Sequence, residues 1–390
     1  MPETTLSDFL SKPEIESLHR PAEHAVGLPG RAYGAEFYEL ERKKLFPRMW
    51  CAVGFASDIP GPGDAAPVDL AGWPLVLVRG KDGVIRAFHN ICRHRAMRVV
   101  PEPLKGASAL ACPWHSWTYD LEGRLFARPQ FAGERAGDDG SPRDGLGLKP
   151  VRAAQWLDLV FVNIDGTAAP FEDHIRPLAK LLAPLDLSRL ERAEGWALDY
   201  PGNWKISVEG AVEEYHIPFG HSQLYRGVRR AHSRLDAAPR SFLCASNARE
   251  YADRRDSGVA MGLTAELPRI LPPEVEQRTH FVNIIPTGIL QTRVNHVLQG
   301  LFLPDGPERT RLVVNHYYAG GAATDPAYAG SREELVREWK LIFEQDIPFV
   351  RFVHENYQRR DAAGIETRFS PFWEANVLAF QRDVVEVLAE

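Results

Sequence analysis

The sequence predicts an α+β protein in which an all-β domain precedes a domain of mixed helices and longer strands. From about residue 45 to about residue 165, short apolar strands alternate with turns rich in Gly and Pro. Beyond that point come helical patterns and longer strands such as 311–318, and the C-terminus is again helical. We therefore expect an N-terminal helical arm at 1–44, an all-β domain at 45–165 and a second domain at 166–390.

Individual segments support this division. Residues 35–42 (AEFYELER) have helical composition, so the arm is expected to be mostly helical. Segments 75–79 and 84–88 flank the turn GKDG, which is the pattern of a β-hairpin. The apolar run 157–164 (LDLVFVNI) predicts the last strand of the all-β domain.

Composition and charge exclude several classes of partner. The 390 residues carry a formal net charge of −6 without a basic stripe, so nucleic acid and anionic membrane are not expected partners. No secretory signal and no apolar run of membrane-spanning length is visible, which favours a cytoplasmic protein. Of the four cysteines, Cys51 and Cys244 are expected to be buried thiols in a reducing compartment.

The other two cysteines lie in the strings CRHR (92–95) and CPWH (112–115), each on a predicted tight loop. A Rieske-type [2Fe–2S] cluster needs two Cys on one iron and two His on the other. Zinc is the alternative, but zinc sites usually pair Cys with Cys and His with His along the chain. The crossed order of Cys92, His94, Cys112 and His115 therefore favours the cluster.

A second metal site is suggested by residues 203–216, whose apolar residues recur at helical spacing. Glu213 and His216 are three residues apart and would share one helix face. Pro218 breaks the helix, so His221 can return toward the same point. Two imidazoles so placed suit the facial triad of non-haem iron, although the spacing alone is a weak signal.

The third ligand of such a triad should be a carboxylate from elsewhere in the chain. Residues 331–334 (SREE) form a capping box that predicts the start of a helix. The apolar stripe of that helix comprises Leu335, Trp339 and Ile342. The next position on the stripe is Asp346, and an acid on a core-facing stripe is costly unless it is paired or binds metal. The alternative is a solvated Asp346 near a helix end, with Pro348 just beyond it.

Taken together, these motifs resemble the catalytic α subunit of Rieske non-haem iron oxygenases, also called ring-hydroxylating oxygenases. The resemblance covers nearly the whole chain and includes 117–119 with Gly123, and 203–205. It implies a catalytic domain of the helix-grip (START-like) type with an antiparallel sheet, against which the N-terminal arm packs. It also implies a homotrimer with electron transfer between neighbouring subunits.

The resemblance assigns roles to single residues. Cys92 and Cys112 resemble the ligands of one cluster iron, and His94 and His115 those of the other. His216, His221 and Asp346 resemble the ligands of a mononuclear Fe(II). Glu213 resembles the acid that links His216 to a cluster histidine of the adjacent subunit, and Glu at this position is typical of the carnitine, choline and glycine betaine branch.

Several positions depart from the family pattern. Gly210 stands where many relatives have Asn, Ser116 where Gly is usual, and Trp114 where Tyr or Phe is usual. His354 stands where a Gln often follows the Asp ligand, which leaves Glu344 as the rival of Asp346.

The reaction expected from the resemblance is O2-dependent monooxygenation of a small organic molecule by hydroxylation or oxidative N- or O-dealkylation. Without a plant-type ferredoxin motif or a GxGxxG, the chain needs a separate flavin reductase, with or without a ferredoxin, to deliver electrons from NAD(P)H. Aromatic cis-dihydroxylation is the alternative reaction, and an electron-carrying Rieske protein without a second iron is the alternative of another class.

The substrate is expected to be a quaternary ammonium compound or an aromatic acid. The candidate pocket residues near the iron ligands are Tyr215, Phe219, Tyr225, Phe281 and Asn283. Aromatic rings at these positions could surround a quaternary ammonium group, stack on an aromatic acid or fill the core.

Overall fold

The computed structural model describes residues 4–133, 143–221, 230–234, 242–248, 267–270, 278–293 and 295–390. The chain divides into two compact units. One unit consists of Pro47–Ala168, and the other combines Met1–Phe46 with Ala169–Glu390. The N-terminal segment therefore belongs to the same unit as the C-terminal half of the chain.

The unit Pro47–Ala168 is built on antiparallel strands. Its longer strands are β1 (Cys51–Phe55), β2 (Ala65–Leu70), β3 (Trp73–Arg79), β4 (Ile85–His89), β8 (Pro150–Trp156) and β9 (Leu159–Asn163). Its short strands are β5 (Leu110–Ala111), β6 (Thr118–Tyr119) and β7 (Leu125–Ala127). The longer strands form a six-stranded sheet in the order β1-β9-β8-β4-β3-β2, and the short ones a three-stranded sheet in the order β5-β6-β7. The predicted hairpin is β3–β4, and the predicted last strand is β9.

A buried apolar cluster in this unit includes Cys92 and Cys112 together with Phe88. Gly123, in the turn after β6, has a φ of +83°, and a Cβ there would lie 2.4 Å from the Phe88 ring. Any other residue would be strained in this conformation and would displace the ring. The turn therefore requires glycine to keep its close approach to the core.

The second unit contains a seven-stranded antiparallel sheet in the order β10-β16-β15-β14-β13-β12-β11. Its strands are β10 (Leu190–Tyr200), β11 (Arg230–Arg234), β12 (Phe242–Ala248), β13 (Arg278–Ile284), β14 (Gly288–Thr292), β15 (Val297–Pro304) and β16 (Thr310–Ala319). Its helices are α1 (Lys12–Leu18), α2 (Ala35–Lys44), α3 (Phe171–Leu182), α4 (Trp204–Ala211), α5 (Ile217–Gly220), α6 (Ala329–Ala363) and α7 (Ala375–Ala389). The α+β class predicted from the sequence is confirmed.

Helix α6 begins earlier and runs further than the sequence predicts. It starts at Ala329, two residues before the predicted capping box, because a 3-10 turn stabilised by the Asp325 carboxylate leads directly into it. The helix also continues through Pro348, so Asp346 lies in its interior and not at its end. The apolar stripe is buried as predicted, with Leu335, Trp339 and Ile342 at 0%, 2% and 6% exposure.

A buried ion pair joins α4 to the N-terminal segment. The Lys205 Nζ donates to Glu41 Oε1 at 2.6 Å, and both side chains are fully buried. Trp204 Nε1 donates to the other carboxylate oxygen at 3.0 Å. Desolvation lowers the pKa of Lys205 and raises that of Glu41, so each group depends on the other to remain charged.

Within the described ranges, the helices are either too short or too polar to cross a lipid bilayer.

We expect Lys205→Met to destabilise this unit by about 3–5 kcal/mol, because the substitution leaves Glu41 buried without its counterion. The double variant Lys205→Met with Glu41→Gln should recover most of the loss, since the Gln amide oxygen still accepts from Trp204 and carries no charge. Urea unfolding followed by far-UV circular dichroism measures both. Lys43→Met on α2, which removes an exposed ion pair, is the control and should change stability by less than about 1 kcal/mol. Equal stability of Lys205→Met and Lys43→Met would contradict this account.

Candidate metal centres and active site

Two loops with the same backbone hydrogen bonds carry the Cys/His strings. In the first loop the Cys92 N–H donates to the Met97 carbonyl at 2.8 Å, and the Ala96 N–H donates to the Cys92 carbonyl at 3.0 Å. In the second loop the Cys112 N–H donates to the Trp117 carbonyl at 2.9 Å, and the Ser116 N–H donates to the Cys112 carbonyl at 3.0 Å. The local sequence thus builds two matching loops, each with a cysteine at its start.

The repeated geometry explains one departure from the family pattern. The fifth residue of each loop is left-handed, with φ values of +58° at Ala96 and +55° at Ser116. Glycine adopts this conformation without strain, and Ser116 adopts it at some cost. The second departure, Trp114, is half exposed and carries the Arg95 guanidinium 4.5 Å from its ring centroid.

The loops bury the cysteines and expose the histidines. Cys92 and Cys112 are 4% and 2% exposed, whereas His94 and His115 lie at the surface. The two imidazole rings are 4.6 Å apart between centroids. His94 also stacks on the buried Trp117 ring at 5.2 Å. Two buried thiols beneath two exposed imidazoles fit a cluster whose two irons have different ligands.

The same groups do not have the geometry of a zinc site. A tetrahedral zinc ion would bring its four ligand atoms within about 4 Å of one another. Among the described residues, only one set of three or more Cys, His, Asp or Glu side chains has ligand atoms mutually within 4.8 Å, and this set contains neither cysteine. Burial raises the pKa of the Cys112 thiol, so binding of a metal there must displace a proton.

The set that does converge consists of His216, His221 and Asp346. The two Nε2 atoms are 3.2 Å apart, and Asp346 Oδ1 lies 3.0 Å from His221 Nε2 and 3.7 Å from His216 Nε2. Metal–ligand bonds of about 2.1 Å at right angles would place donor atoms about 3 Å apart. Two imidazoles and one carboxylate at this spacing fit one face of an octahedral iron site.

The predicted helix through 203–216 is shorter than expected, since α4 ends at Ala211. The Glu213 carboxylate accepts the backbone N–H groups of Tyr215 and His216, which replace helical hydrogen bonds. The single turn α5 then separates His216 from His221. This explains how two histidines five residues apart face one point.

Each imidazole is oriented by an oxygen acceptor at its other nitrogen. Glu213 Oε1 binds Nδ1 of His216, and Gln345 Oε1 lies 2.8 Å from Nδ1 of His221. Such contacts fix the ring and leave Nε2 to face the ion. The sequence does not predict this contact of Gln345, because no pattern other than its position beside Asp346 on α6 distinguishes the residue.

Glu344, the rival carboxylate, lies away from this centre. Its side chain is 40% exposed and pairs with Lys340 at 3.7 Å along the surface of α6. Of these two acids on α6, Asp346 is therefore the one whose carboxylate lies near both imidazoles.

A cavity of about 410 Å³ within the second unit contains the three convergent side chains in its wall. Its aromatic lining includes Tyr200, Phe281, Phe302, Trp339, Phe343 and Tyr357. Its other acidic lining residues are Glu209, Glu213, Glu214 and Glu374, and it also contains Arg293. Gly210 lines it as well, with open space where a Cβ would lie. An apolar cavity with several carboxylates is suited to a cationic or zwitterionic organic ligand.

Not all of the candidate pocket residues predicted from the sequence line this cavity. Phe281 lines the cavity, and Asn283 is buried nearby with its Nδ2 donating to the Ala211 carbonyl. Tyr215 and Phe219 are 45% and 79% exposed and do not line this cavity. The reason is the early end of α4, which removes Tyr215 from the buried helix face. Tyr225 lies outside the described residues.

Comparison with known protein families assigns both parts of the chain. Residues 187–390 match the model of the ring hydroxylating alpha subunit (catalytic domain). Residues 49–136 match the Rieske [2Fe-2S] domain. Both matches agree with the positions of the two candidate metal centres.

Individual relatives share only about one third of their residues with the matched part of the chain. The chain is 34% identical over 187 residues to the glycine betaine monooxygenase oxygenase subunit of Chromohalobacter salexigens, covering 48% of this chain and 41% of the relative. It is 32% identical over 202 residues to the carnitine monooxygenase oxygenase subunit of Escherichia coli, covering 51% and 53%. The chain thus spans about half the length of the curated relatives it matches.

Solved structures extend the likeness in fold to the whole chain. A quaternary ammonium Rieske monooxygenase, studied for carnitine oxidation and inter-subunit electron transfer, aligns with a TM-score of 0.76 at 20% identity. The alignment covers 99% of this chain and 100% of the other. The α+β fold with its Rieske and catalytic parts is therefore shared over the full length. The chain belongs to the ring-hydroxylating oxygenase alpha subunit family and combines a Rieske [2Fe–2S] domain with the catalytic domain of that family.

Proposed function

We propose that the protein is the terminal oxygenase of a multicomponent Rieske system that monooxygenates a small quaternary ammonium compound. The observation that carries this proposal is the convergence of His216, His221 and Asp346 on the wall of a cavity large enough for such a substrate. The activities named for the glycine betaine and carnitine relatives support the same reaction class.

The proposed domains are an arm at 1–44 that packs on the catalytic domain, a Rieske domain at 45–165 and a catalytic domain at 166–390. Cys92 and Cys112 would hold one cluster iron, and His94 and His115 the other. His216, His221 and Asp346 would hold the mononuclear Fe(II). When bound, the cluster supplies single electrons and the ferrous ion supplies open coordination positions for oxygen activation.

The protein side chains would orient the metal ligands and keep water out. Glu213 and Gln345 bind the outer imidazole nitrogens, so both Nε2 atoms can face one ion. The aromatic wall formed by Trp339, Phe343 and Phe302 limits the water that can enter beside the substrate.

The lining of the cavity supports a quaternary ammonium substrate. Such a group has no N–H, so it is bound through aromatic faces and negative charge, without hydrogen bonds. The cavity offers several rings together with the buried carboxyl group of Glu209. Hydroxylation of an N-methyl carbon, followed by loss of formaldehyde, is the N-dealkylation that this placement favours.

Electrons would come from NAD(P)H through a separate flavin reductase, with or without a ferredoxin, in the cytoplasm. His94 and His115 are exposed, so a partner can approach that side of the cluster loops. We further propose a homotrimer in which Glu213 links His216 to a cluster histidine of the neighbouring subunit. The contact between Glu213 and His216 Nδ1 supports this role.

Oxygen uptake with a surrogate reductase tests the function. We expect uptake to be stimulated by betaines or other N-methylated compounds, and ¹⁸O2 labelling should place one oxygen atom in the immediate product and one in water. Stimulation by aromatic acids alone, with both oxygen atoms in a diol, would instead establish cis-dihydroxylation. An iron content of only about two per chain, with no uptake, would identify an electron carrier without a second iron.

Asp346→Ala should remove the mononuclear iron and leave the cluster intact. Iron content is expected to fall from about three to about two per chain, and turnover should be lost while the optical spectrum of the cluster is unchanged. The matched control is Glu344→Ala on the same helix, which removes an exposed carboxylate and should keep all three irons. Full iron content and turnover in Asp346→Ala would remove Asp346 from the ligand set.

A further inference from the structure

Glu209 is a buried acid in the cavity wall that the proposed metal centres do not use. It lies on α4, one helical turn before Glu213, and is 7% exposed. The Tyr33 hydroxyl donates to Glu209 Oε1 at 2.6 Å, and Gln381 Nε2 donates to the same oxygen at 2.8 Å. These two donors come from the N-terminal segment and from α7, so three segments fix this one carboxyl group.

The other oxygen of this carboxyl group is left for a ligand. In the part of the chain that the structure describes, Oε2 of Glu209 accepts no hydrogen bond from protein and Glu209 has no ion pair. The nearest cation on the same helix, Lys205, is bonded to Glu41 instead. A buried carboxylate without a counterion is costly. A cation in the cavity would remove that cost.

Aromatic rings lie close to this carboxyl group. The Tyr33 and Tyr357 rings are 4.5 Å apart between centroids, and Tyr357 also lines the cavity. Phe369, another lining residue, lies beside Gln381 at the same end, since both side chains are within 3.1 Å of a Cβ built on Gly27. Negative charge beside aromatic faces is the environment that binds quaternary ammonium groups.

We propose that Glu209 is the counterion of the quaternary ammonium group of the substrate. The proposal rests on the oxygenase function above and names the residue that selects a cationic substrate. Two other acids of the cavity, Glu213 and Glu374, are less suited to this role. Glu213 is bonded to His216, and Glu374 is only partly buried and accepts the Ser370 N–H at 2.6 Å.

Binding of a cationic substrate should be coupled to the release of a proton from Glu209. Burial raises the pKa of Glu209 to about 7, so the carboxyl group is largely protonated at pH 6 and ionised at pH 8. The groups that influence this ionisation are Tyr33, Gln381, Lys205 and Arg360. A bound cation favours the carboxylate, so binding should release about one proton at pH 6 and little at pH 8. Affinity for the cation should therefore rise as the pH increases through 7.

The test compares cations with their neutral carbon isosteres in the iron-loaded holoenzyme. The probes are glycine betaine against 3,3-dimethylbutanoate and γ-butyrobetaine against 5,5-dimethylhexanoate, so each pair differs only in the charge of the trimethyl group. Glu209→Gln should weaken binding of the cations by about thirtyfold or more and change binding of the isosteres by less than about threefold. The Gln oxygen still accepts from Tyr33 and Gln381, and iron content checks the fold.

Glu374→Gln is the matched control, since it removes another carboxyl group from the same cavity. It should keep the preference for cations and the proton release measured by calorimetry in buffers of different ionisation enthalpy. If Glu209→Gln does not fold, the proton release of the wild-type enzyme decides alone. Absence of proton release on binding at pH 6, equal affinity of cations and isosteres, or a loss of preference in Glu374→Gln would overturn the proposal. Such results would leave the iron content and oxygen uptake with other substrates unaffected, so failure here is distinct from failure of the oxygenase function.

Discussion

The candidate active centre depends on bringing two imidazole nitrogens and one carboxylate oxygen within 3.7 Å of one another. Two neutral acceptor nitrogens have no reason to face each other at 3.2 Å unless a proton or a cation lies between them. The chain meets this constraint with a single helical turn between His216 and His221 and with a long helix that presents Asp346. Gly220 allows the turn to lie against that helix, because a Cβ there would come within 2.9 Å of the Phe349 ring.

Helix α4 carries two buried ionisable residues, Lys205 in the core and Glu209 in the cavity wall. Lys205 has its charge balanced by Glu41 from the N-terminal segment, in a fully buried pair. Glu209, one turn later, receives only neutral donors, and burial raises its pKa to about 7 although these hydrogen bonds lower it. The two residues thus illustrate two uses of a buried charged group. The first stabilises the packing of Met1–Phe46 on α4, and the second leaves a carboxyl group that responds to what enters the cavity.

Short-range patterns in the sequence predict the loops and the helix face that carry the candidate metal ligands. The Cys/His strings predict the cluster loops because the ligand types and their order are local, and the burial stripe of α6 predicts that Asp346 faces the interior. The end of α4 at Ala211 was not predictable from periodicity, because it depends on the Glu213 side chain bonding to nearby backbone N–H groups. Because α4 ends there, Tyr215 and Phe219 do not continue its buried face toward the cavity.

Other parts of the site depend on contacts between distant segments. The partners of Glu209 lie in the N-terminal segment and in α7, and Gln345 reaches His221 from α6. Sequence spacing carries no signal for such pairs, since tertiary packing alone brings them together. The outer contacts that orient the site are therefore visible only in the folded chain.

We propose that one chain holds both a two-iron cluster and a separate mononuclear iron. Anomalous diffraction from crystals of the holoenzyme at the iron absorption edge measures this directly. We expect three iron positions per chain: two adjacent irons between the loops of Cys92 and Cys112, and a third among His216, His221 and Asp346. A single zinc at the Cys/His loops, or an iron-loaded cluster in turnover-competent protein with no metal beside Asp346, would contradict it.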